Sequence, residues 1–561
     1  VEGGRRRTLI VTGRRDSARH QALLHVLGPL ATLRRPGDAL DDLRGYDTVV
    51  LDGAQPGWDE AGVAALRARV EAGATLIALG VEPERGSALH RLLGAHADAE
   101  AIPEGEVFAK VVAPHHPLVR RLDTEFAVVD RFTPMAPVNG VMTPLLHVNV
   151  AHRDRTAALA GRLGRGRVLV TGLGNTERAL ESAPLATLLR RAAALDGGAA
   201  AAEEKPLGVG IVGYGPFGGM GYAHGLAVQA TDGLALVAAC DRAEERRAAA
   251  QREFPGLRAV AGIDEIAADA DVDVVIIATP PVQHADIALA MLRAGKHVVC
   301  EKPLCFTVVQ ADELIAAARE HSRVLTVHQN RRWDQDFLAL RRAVEGGSLG
   351  DLFNVETFVG GFEHPCRAWH SDTSYSGGAV YDWGSHHVDW ILLLLGDLPM
   401  AVAATGHKRV WHDVTNHDQL RLRMAWGDGR EAEFLQSDVA AVRRPKFYVQ
   451  GTRGTLVGWY RPVSFERIEP GRGYVRERAH HAEAPVELTQ VSYDSGYGLI
   501  ECRLPPMPEQ RFAFHRNLGD HLHLGEPLAV TPESVRRVVA VLEAATLSVQ
   551  RGGASVPVTP A

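Results

Sequence analysis

The chain has 561 residues, of which 46% are hydrophobic and 23% charged, with a formal net charge of −7. That length exceeds one ordinary core, and the composition is that of an average globular protein, neither disordered nor fibrous. The acidic balance argues against nucleic acid as the main partner, because phosphate binding needs a basic face. Cys240, Cys300, Cys305, Cys366 and Cys502 show no paired spacing, so a reducing interior is expected. The apolar run of "RRRTLIVTGRR" breaks too early for a secretory segment, and "WILLLLG" (390–396) is far short of a membrane span. The expected location is cytoplasmic.

In chain order, "TLIVTG" (8–13), "DTVVLDG" (47–53), "ATLIALG" (74–80) and "RVLVTGLG" (167–174) read as buried parallel strands. Between them "WDEAGVAALRARVEAG" (58–73) carries Val63, Leu66 and Val70 at helical spacing and closes on a glycine. An α/β domain is therefore expected over 1–194, followed by a linker of small and charged residues at 195–206. A second strand–helix series runs over 207–328. From 329 to 561 longer strands such as "LFNVETFVG" (352–360), "QLRLRMAW" (419–426) and "KFYVQG" (446–451) predict a large open antiparallel sheet.

The second series opens on "GVGIVGYGPFGG" (208–219), in which Gly213, Gly215 and Gly218 match the dinucleotide pattern G-x-G-x-x-G after an apolar strand. The first glycine makes the turn, the second lets the backbone approach a pyrophosphate, and the third allows helix–strand packing. Pro216 and Phe217 fall inside the same loop and are expected to touch the coenzyme. The next strand, "LALVAACD", ends in Asp241, where a carboxylate accepts ribose hydroxyls and repels a 2′-phosphate. NAD is therefore favoured over NADP, although Arg242 next door is able to meet that phosphate.

Further along, "ATPPVQHADIA", "AGKHVVCEKPL", "HQNRRWDQDF", "GGAVYDWGSHHVDWILLLLG" and "FHRNLGDHLHLGEPLAVTPESVRRVVAVLEAATLSVQRG" occur in order. In these motifs the chain resembles the glucose-fructose oxidoreductase / inositol dehydrogenase / rhizopine-catabolism (Gfo/Idh/MocA) family over roughly 205–555. The resemblance implies a Rossmann domain followed by an α/β domain with an open antiparallel sheet, and association as a homodimer or homotetramer. An apolar uncovered sheet face is expected to drive that association. The resemblance also implies coenzyme contacts at Thr279, Pro280, His284, Glu301 and Lys302.

Oxidising a secondary alcohol needs a hydride acceptor and a base for the hydroxyl proton. Lys302, after the strand "HVV", falls where ligands gather in an open α/β sheet, and the resemblance makes it a substrate contact and proton relay. The competing reading is a solvated surface lysine. Asp382, His386 and Asp389 are spaced to share one helical face. The resemblance gives His386 the acid/base role and Asp382 the substrate hydroxyls, against a reading as helix-end carboxylate and buried histidine. His387 points elsewhere and is a weaker candidate. Arg332, Trp333 and Asp334 are able to line a sugar site, with core packing as the alternative for Trp333. "WHDVTNHD" (411–418) has no zinc-site spacing, and no metal is expected.

The first domain carries "YDTVVLDG", "AALRARVEAGATLIALG", "HHPLVRRLDTEFAVVDRF" and "GRGRVLVTGLGNT". In these it resembles the trehalose-utilisation (ThuA-like) domain, which implies a flavodoxin- or class I glutamine-amidotransferase-like fold. Asp130-Arg131-Phe132 and Asn175 depart from that family's pattern, and the domain has no cysteine for thiol chemistry. A degenerate scaffolding or covering role is expected, with sugar-ketone chemistry at His115, His116 and Asp130 as the other option. The whole chain is thus expected to be an NAD-dependent oxidoreductase acting on a secondary hydroxyl of a sugar, sugar derivative or cyclitol. Redox-neutral glycoside cleavage through a 3-keto intermediate, and a non-catalytic sugar or dinucleotide sensor, are the alternatives.

Overall fold

A computed structural model of the chain describes residues 7–14, 16–28, 30–36, 43–53, 59–114, 116–120, 122–138, 142–194, 205–215, 219–366, 368–469, 473–480 and 484–560. The chain forms two compact units, divided between residues 204 and 205. Most of the expected linker, residues 195–204, lies outside the described residues.

In the first unit the four expected strands are parallel neighbours. The order runs Ala31–Arg34, Thr8–Thr12, Thr48–Asp52, Thr75–Leu79, Gly166–Thr171. Successive side chains on such strands point to opposite faces, and both faces here carry a core. Ile10, Val50 and Ile77 pack on one face, while Leu9, Val11, Val49 and Leu51 pack on the other. The helix Glu60–Glu71 starts where the Asp59 side chain accepts from Gly62 N, and it buries Val63, Leu66 and Val70. Beyond Gly166–Thr171 the sheet continues antiparallel through Arg153–Leu163, Thr143–Val150, Ile102–Val111 and Glu125–Phe132. These four strands are not foreseen in the sequence. Burial alternates in "EFAVVDRF", and in Arg153–Leu163 the buried run is the short Ala157–Ala160 between arginines, so no long apolar run marks them.

The second unit opens with a six-stranded sheet. Its order is Arg258–Val260, Leu234–Cys240, Leu207–Val212, Val274–Ile277, His297–Cys300, Leu325–Val327, and every pairing is parallel. Numbered along the chain this is the 3-2-1-4-5-6 order of dinucleotide-binding sheets. The side on which successive strands are added switches at the pair Leu207–Val212 and Val274–Ile277, which leaves a crevice beyond their carboxyl ends.

The remaining sheet has nine strands, and one pairing departs from the expected antiparallel pattern. Leu352–Gly360 and Glu431–Ser437 run parallel. The long excursion between them, through the helix Gly384–Leu395 and two further strands, returns the chain to the same end before it re-enters the sheet. One face packs on the helices Gly384–Leu395 and Pro532–Gln550 through Val355, Leu422, Met424, Phe434, Trp390 and Leu542. The opposite face corrects a second expectation, since over the middle strands it is charged rather than apolar. Arg421 and Arg423 lie 3.6 and 3.2 Å from Glu433, and Arg444 spans Glu433 and Glu356 at 3.1 and 3.8 Å. Exposed apolar side chains gather at the sheet edge instead, at Tyr493, Tyr497 and Leu499.

The helix Pro532–Gln550 serves both cores of this unit. Val535 and Val539 pack with the parallel sheet, while Val538, Val541 and Leu542 pack with the nine-stranded one. Residues after 329 therefore complete the coenzyme-type sheet as well as their own. Among the described residues no helix is long and apolar enough to cross a membrane.

Candidate active site

The crevice is built first by backbone. Gly213 and Gly215 have φ of 86° and 77°, a region that favours glycine. A Cβ on Gly213 would lie 2.7 Å from Thr279 N, so the turn and the neighbouring loop fit only without one. Gly215 N donates to Asp241 Oδ2 at 3.1 Å, and Ala243 N donates to Asp241 Oδ1 at 3.0 Å. The glycine loop is thus tied to the carboxylate that ends the second strand. Arg246 approaches the same carboxylate at 3.7 Å, whereas Arg242 is exposed. Thr279 Oγ1 is buried without a hydrogen-bond partner among the described residues. An open turn, a terminal carboxylate and an unused hydroxyl at the switch point together fit a dinucleotide. Pro216, Phe217 and Gly218 lie outside the described residues.

Beside Thr279 opens a cavity of about 330 Å³, lined among others by Lys302, Arg331, His370, Asp382, Trp383 and His386. Lys302 follows the strand His297–Cys300 and is joined to Pro303 by a cis peptide. Its Nζ donates to Asp382 Oδ1 at 2.8 Å. Burial pushes the Asp382 carboxyl up, but the Lys302 charge and hydrogen bond outweigh it and hold the group below its ordinary value. His386 sits in the first turn of Gly384–Leu395. Burial, then the charges of Lys302, Arg331 and His387, press its imidazole well below the usual histidine range. At neutral pH the ring is therefore uncharged, and its buried Nδ1 has no partner among the described residues. Arg331 stacks its guanidinium 4.8 Å from the Trp383 ring centre. The arrangement places a cation, an anion and a neutral base around one volume.

Asp382 lies in the turn before the helix, not on it, so the shared face expected for Asp382, His386 and Asp389 is not what brings Asp382 and His386 together. Asp389 instead takes both guanidinium edges of Arg332, at 2.8 and 2.6 Å, with the pair buried. Arg332 also donates to Ala529 O at 2.7 Å, so it ties the C-terminal segment to the helix and does not line the cavity. Its neighbours Asn330 and Arg331 do. The reason is local: residues Asn330–Trp333 form a 3-10 turn, where consecutive side chains leave in different directions. Trp333 packs against the core of the parallel sheet, with Phe514 at 6.2 Å between ring centres. Asp334 is paired with Arg331 at 3.2 Å.

His284 is fully buried, with ring nitrogens 2.7 Å from Pro303 O and 2.8 Å from Thr279 O, so it braces the loops behind the cavity. Pro280 precedes the turn Pro281–Gln283, and it is Pro281 that reaches the cavity. His387 packs on Phe434 and Trp390, away from it. Glu301 accepts from His224 at 2.9 Å and from His328 at 2.7 Å. Arg331, His370 and Trp383 are not singled out in the sequence. Two of the three sit one residue from a predicted position, a spacing that only the turn geometry resolves.

In the first unit Asp130 accepts from the backbone N–H groups of Gly174, Asn175 and Thr176 at 2.6, 3.1 and 3.0 Å. Burial pushes its carboxyl up to about 6 despite these bonds. Asn175 accepts from Arg14 at 2.9 Å, and Arg19 meets Asp52 at 2.6 Å. Burial presses the half-buried His116 below its ordinary value. His115 lies outside the described residues.

Residues 207–329 match the GFO/IDH/MocA "Oxidoreductase family, NAD-binding Rossmann fold", and residues 337–457 match the "GFO/IDH/MocA C-terminal domain". Inositol 2-dehydrogenase of Rhizobium meliloti is 31% identical over 277 residues, 47% of this chain and 79% of that protein. The scyllo-inositol 2-dehydrogenase (NADP(+)) IolW of Bacillus subtilis is 27% identical over 339 residues, 60% of this chain and 92% of that protein. The solved NAD-binding protein from Listeria innocua superposes with a TM-score of 0.53 at 28% identity, covering 63% of this chain and 97% of that one.

Proposed function

The chain belongs to the GFO/IDH/MocA oxidoreductase family, and from that premise we propose that it oxidises a secondary hydroxyl of a sugar, sugar derivative or cyclitol with NAD. The observation that carries the reading is the Lys302–Asp382 pair beside an uncharged His386, in the cavity next to the Gly213–Gly215 turn. A bound nicotinamide would supply the hydride acceptor. Residues Gly213, Gly215, Asp241 and Thr279 would hold that coenzyme, with Asp241 at the ribose. Asp382 accepts hydrogen bonds from substrate hydroxyls, and Lys302 donates to the reacting oxygen and steadies charge as its proton leaves. His386, held neutral by its surroundings, takes that proton, and its cationic neighbours favour passing it on.

NAD is preferred in this reading because the Asp241 carboxylate stands where a 2′-phosphate would come. Arg246 and the exposed Arg242 are the features that would reverse the preference. The first unit we read as a ThuA-like domain with a scaffolding role, supported by its parallel strand order and by the mutual pairing of its polar groups. A homodimer or homotetramer is supported by the exposed Tyr493, Tyr497 and Leu499 edge, and a cytoplasmic location by five free cysteines. The decisive experiment incubates the protein with NAD or NADP and a panel of inositols, hexoses, anhydro-sugars and simple glycosides. Nicotinamide absorbance and product mass are read together. A ketone product formed with equimolar reduced coenzyme supports the proposal, and a cleaved glycoside without net reduction overturns it.

A further inference from the structure

Behind the cavity wall, four chain segments bring a cluster of nitrogen and oxygen donors together. His224 comes from the helix Met220–Gln229, Glu301 from the end of the strand His297–Cys300, His328 from the end of Leu325–Val327, and His515 from the helix Ala513–Leu524. All four are buried. The three imidazoles each present a ring nitrogen within 4.8 Å of the others. Glu301 Oε1 lies 2.9 Å from His224 Nε2 and 2.7 Å from His328 Nδ1, and His224 Nδ1 lies 3.0 Å from His515 Nε2. None of the roles proposed above uses these histidines.

We propose that His224, His328 and His515 form a site for one divalent cation of the zinc class, with the Glu301 carboxylate orienting the His224 and His328 rings through their other nitrogens. Imidazole donors suit borderline cations such as Zn²⁺, Co²⁺ and Ni²⁺ better than Mg²⁺ or Ca²⁺, which prefer all-oxygen shells. A tetrahedral zinc with arms of about 2.0–2.1 Å sets donors roughly 3.4 Å apart. The His224 Nδ1–His515 Nε2 pair, 3.0 Å apart, needs to open by a few tenths of an ångström, and the widest pair to draw in. Charge points the same way. Among the described residues no lysine or arginine side chain pairs with the Glu301 carboxylate, since Lys302 is engaged by Asp382. Glu301 and His328 also line the cavity, which gives the cation a way in.

The test uses the full-length chain without a histidine tag, stripped with a chelator and titrated with Co²⁺ alone. One equivalent should be retained through desalting, with the intense visible absorption of a low-coordinate cobalt ion, and Zn²⁺ should abolish it. His328→Phe and Glu301→Gln should each weaken retention by at least ~10-fold. A chelator-stripped parent that melts below its zinc-loaded form supports the site even where a variant fails to fold. No retained cobalt in the parent, or the same spectrum in both folded variants, would overturn the proposal and leave the cluster as a hydrogen-bonded brace.

Discussion

The parallel strands of the two units end in very different ways. At the carboxyl ends of the first unit's strands the polar groups mostly answer one another: Arg19 with Asp52, Arg14 with Asn175, and Asp130 with four backbone N–H groups. At the corresponding edge of the second unit, Thr279 Oγ1 and His386 Nδ1 lack partners among the described residues, and the Lys302–Asp382 pair remains partly open to solvent. A buried polar atom without a partner costs about 1–3 kcal/mol unless something else completes it. Arg19 Nε also lacks a partner among the described residues, so the contrast is one of degree: the first edge mostly pairs its polar groups with one another, and the second turns them toward an open cavity.

The largest expected effect tests that contrast directly. His386→Ala should lower turnover by about 10²–10⁴-fold with coenzyme binding retained, and Lys302→Ala should fall in the same range. The two losses should not add, since both groups act on one hydroxyl. Asp130→Asn in the first unit should leave turnover unchanged. Steady-state rates on the substrate found by the panel, with coenzyme titration by fluorescence, decide the matter. A deep loss in Asp130→Asn would erase the distinction between the two edges. The parent should also keep its oxidation rate as pH falls through 6.5, because His386 stays neutral there, its protonation lying well below that value.

Asp382→Asn comes next, because it keeps the size of the side chain and removes the charge that Lys302 faces. Charge-assisted hydrogen bonds contribute about 1.5–3 kcal/mol, so KM should rise by roughly 10- to 100-fold while measurable turnover remains. A KM at the parent value would move substrate binding away from this carboxylate.

The two edges also differ in how far the sequence revealed them. The central parallel strands are legible in both units, because a strand buried on two faces needs a continuous run such as "TLIVT" or "VVII", whereas the short edge strands Ala31–Arg34, Arg258–Val260 and Leu325–Val327 are not. Gly213, Gly215, Asp241 and Lys302 are legible for a related reason: a sharp turn after a strand calls for specific residues at fixed offsets. What escaped were features fixed by tertiary direction. Arg332 and Arg331 are adjacent in sequence, yet one is taken by Asp389 and the other lines the cavity. Asp382 reaches His386 from a turn rather than along a helix face. The His224, His328 and His515 cluster joins positions up to 291 residues apart, which no local spacing encodes. The antiparallel half of the first sheet was missed because its buried stretches are short and interrupted by polar residues, as in Glu125–Phe132 and Arg153–Leu163.

A smaller effect sharpens the coenzyme side of the open edge. Asp241 holds Gly215 N and Ala243 N and stands at the ribose position, so Asp241→Ala should narrow the preference for NAD over NADP, by about tenfold. Paired titrations of parent and variant give the ratio. If the parent already binds NADP as tightly as NAD, then Arg246 or Arg242 governs the choice instead.

The smallest effect belongs to the closed edge and concerns stability. Asp130 is raised from 3.8 to about 6 by burial, so between those values the folded unit binds a proton that the unfolded chain releases. Its contribution is therefore fully present below pH 3.8, declines as the pH rises, and is lost once the pH passes about 6. Asp130→Asn removes this dependence while keeping a side chain that accepts from the same loop. Hydrogen exchange over residues 166–176, corrected for the intrinsic rate, reads the first unit alone. The excess protection of parent over variant should shrink from pH 4 to pH 6 and stay level above. A difference independent of pH would mean that Asp130 is ionised throughout, held against its burial by its four N–H donors, those of Arg131, Gly174, Asn175 and Thr176.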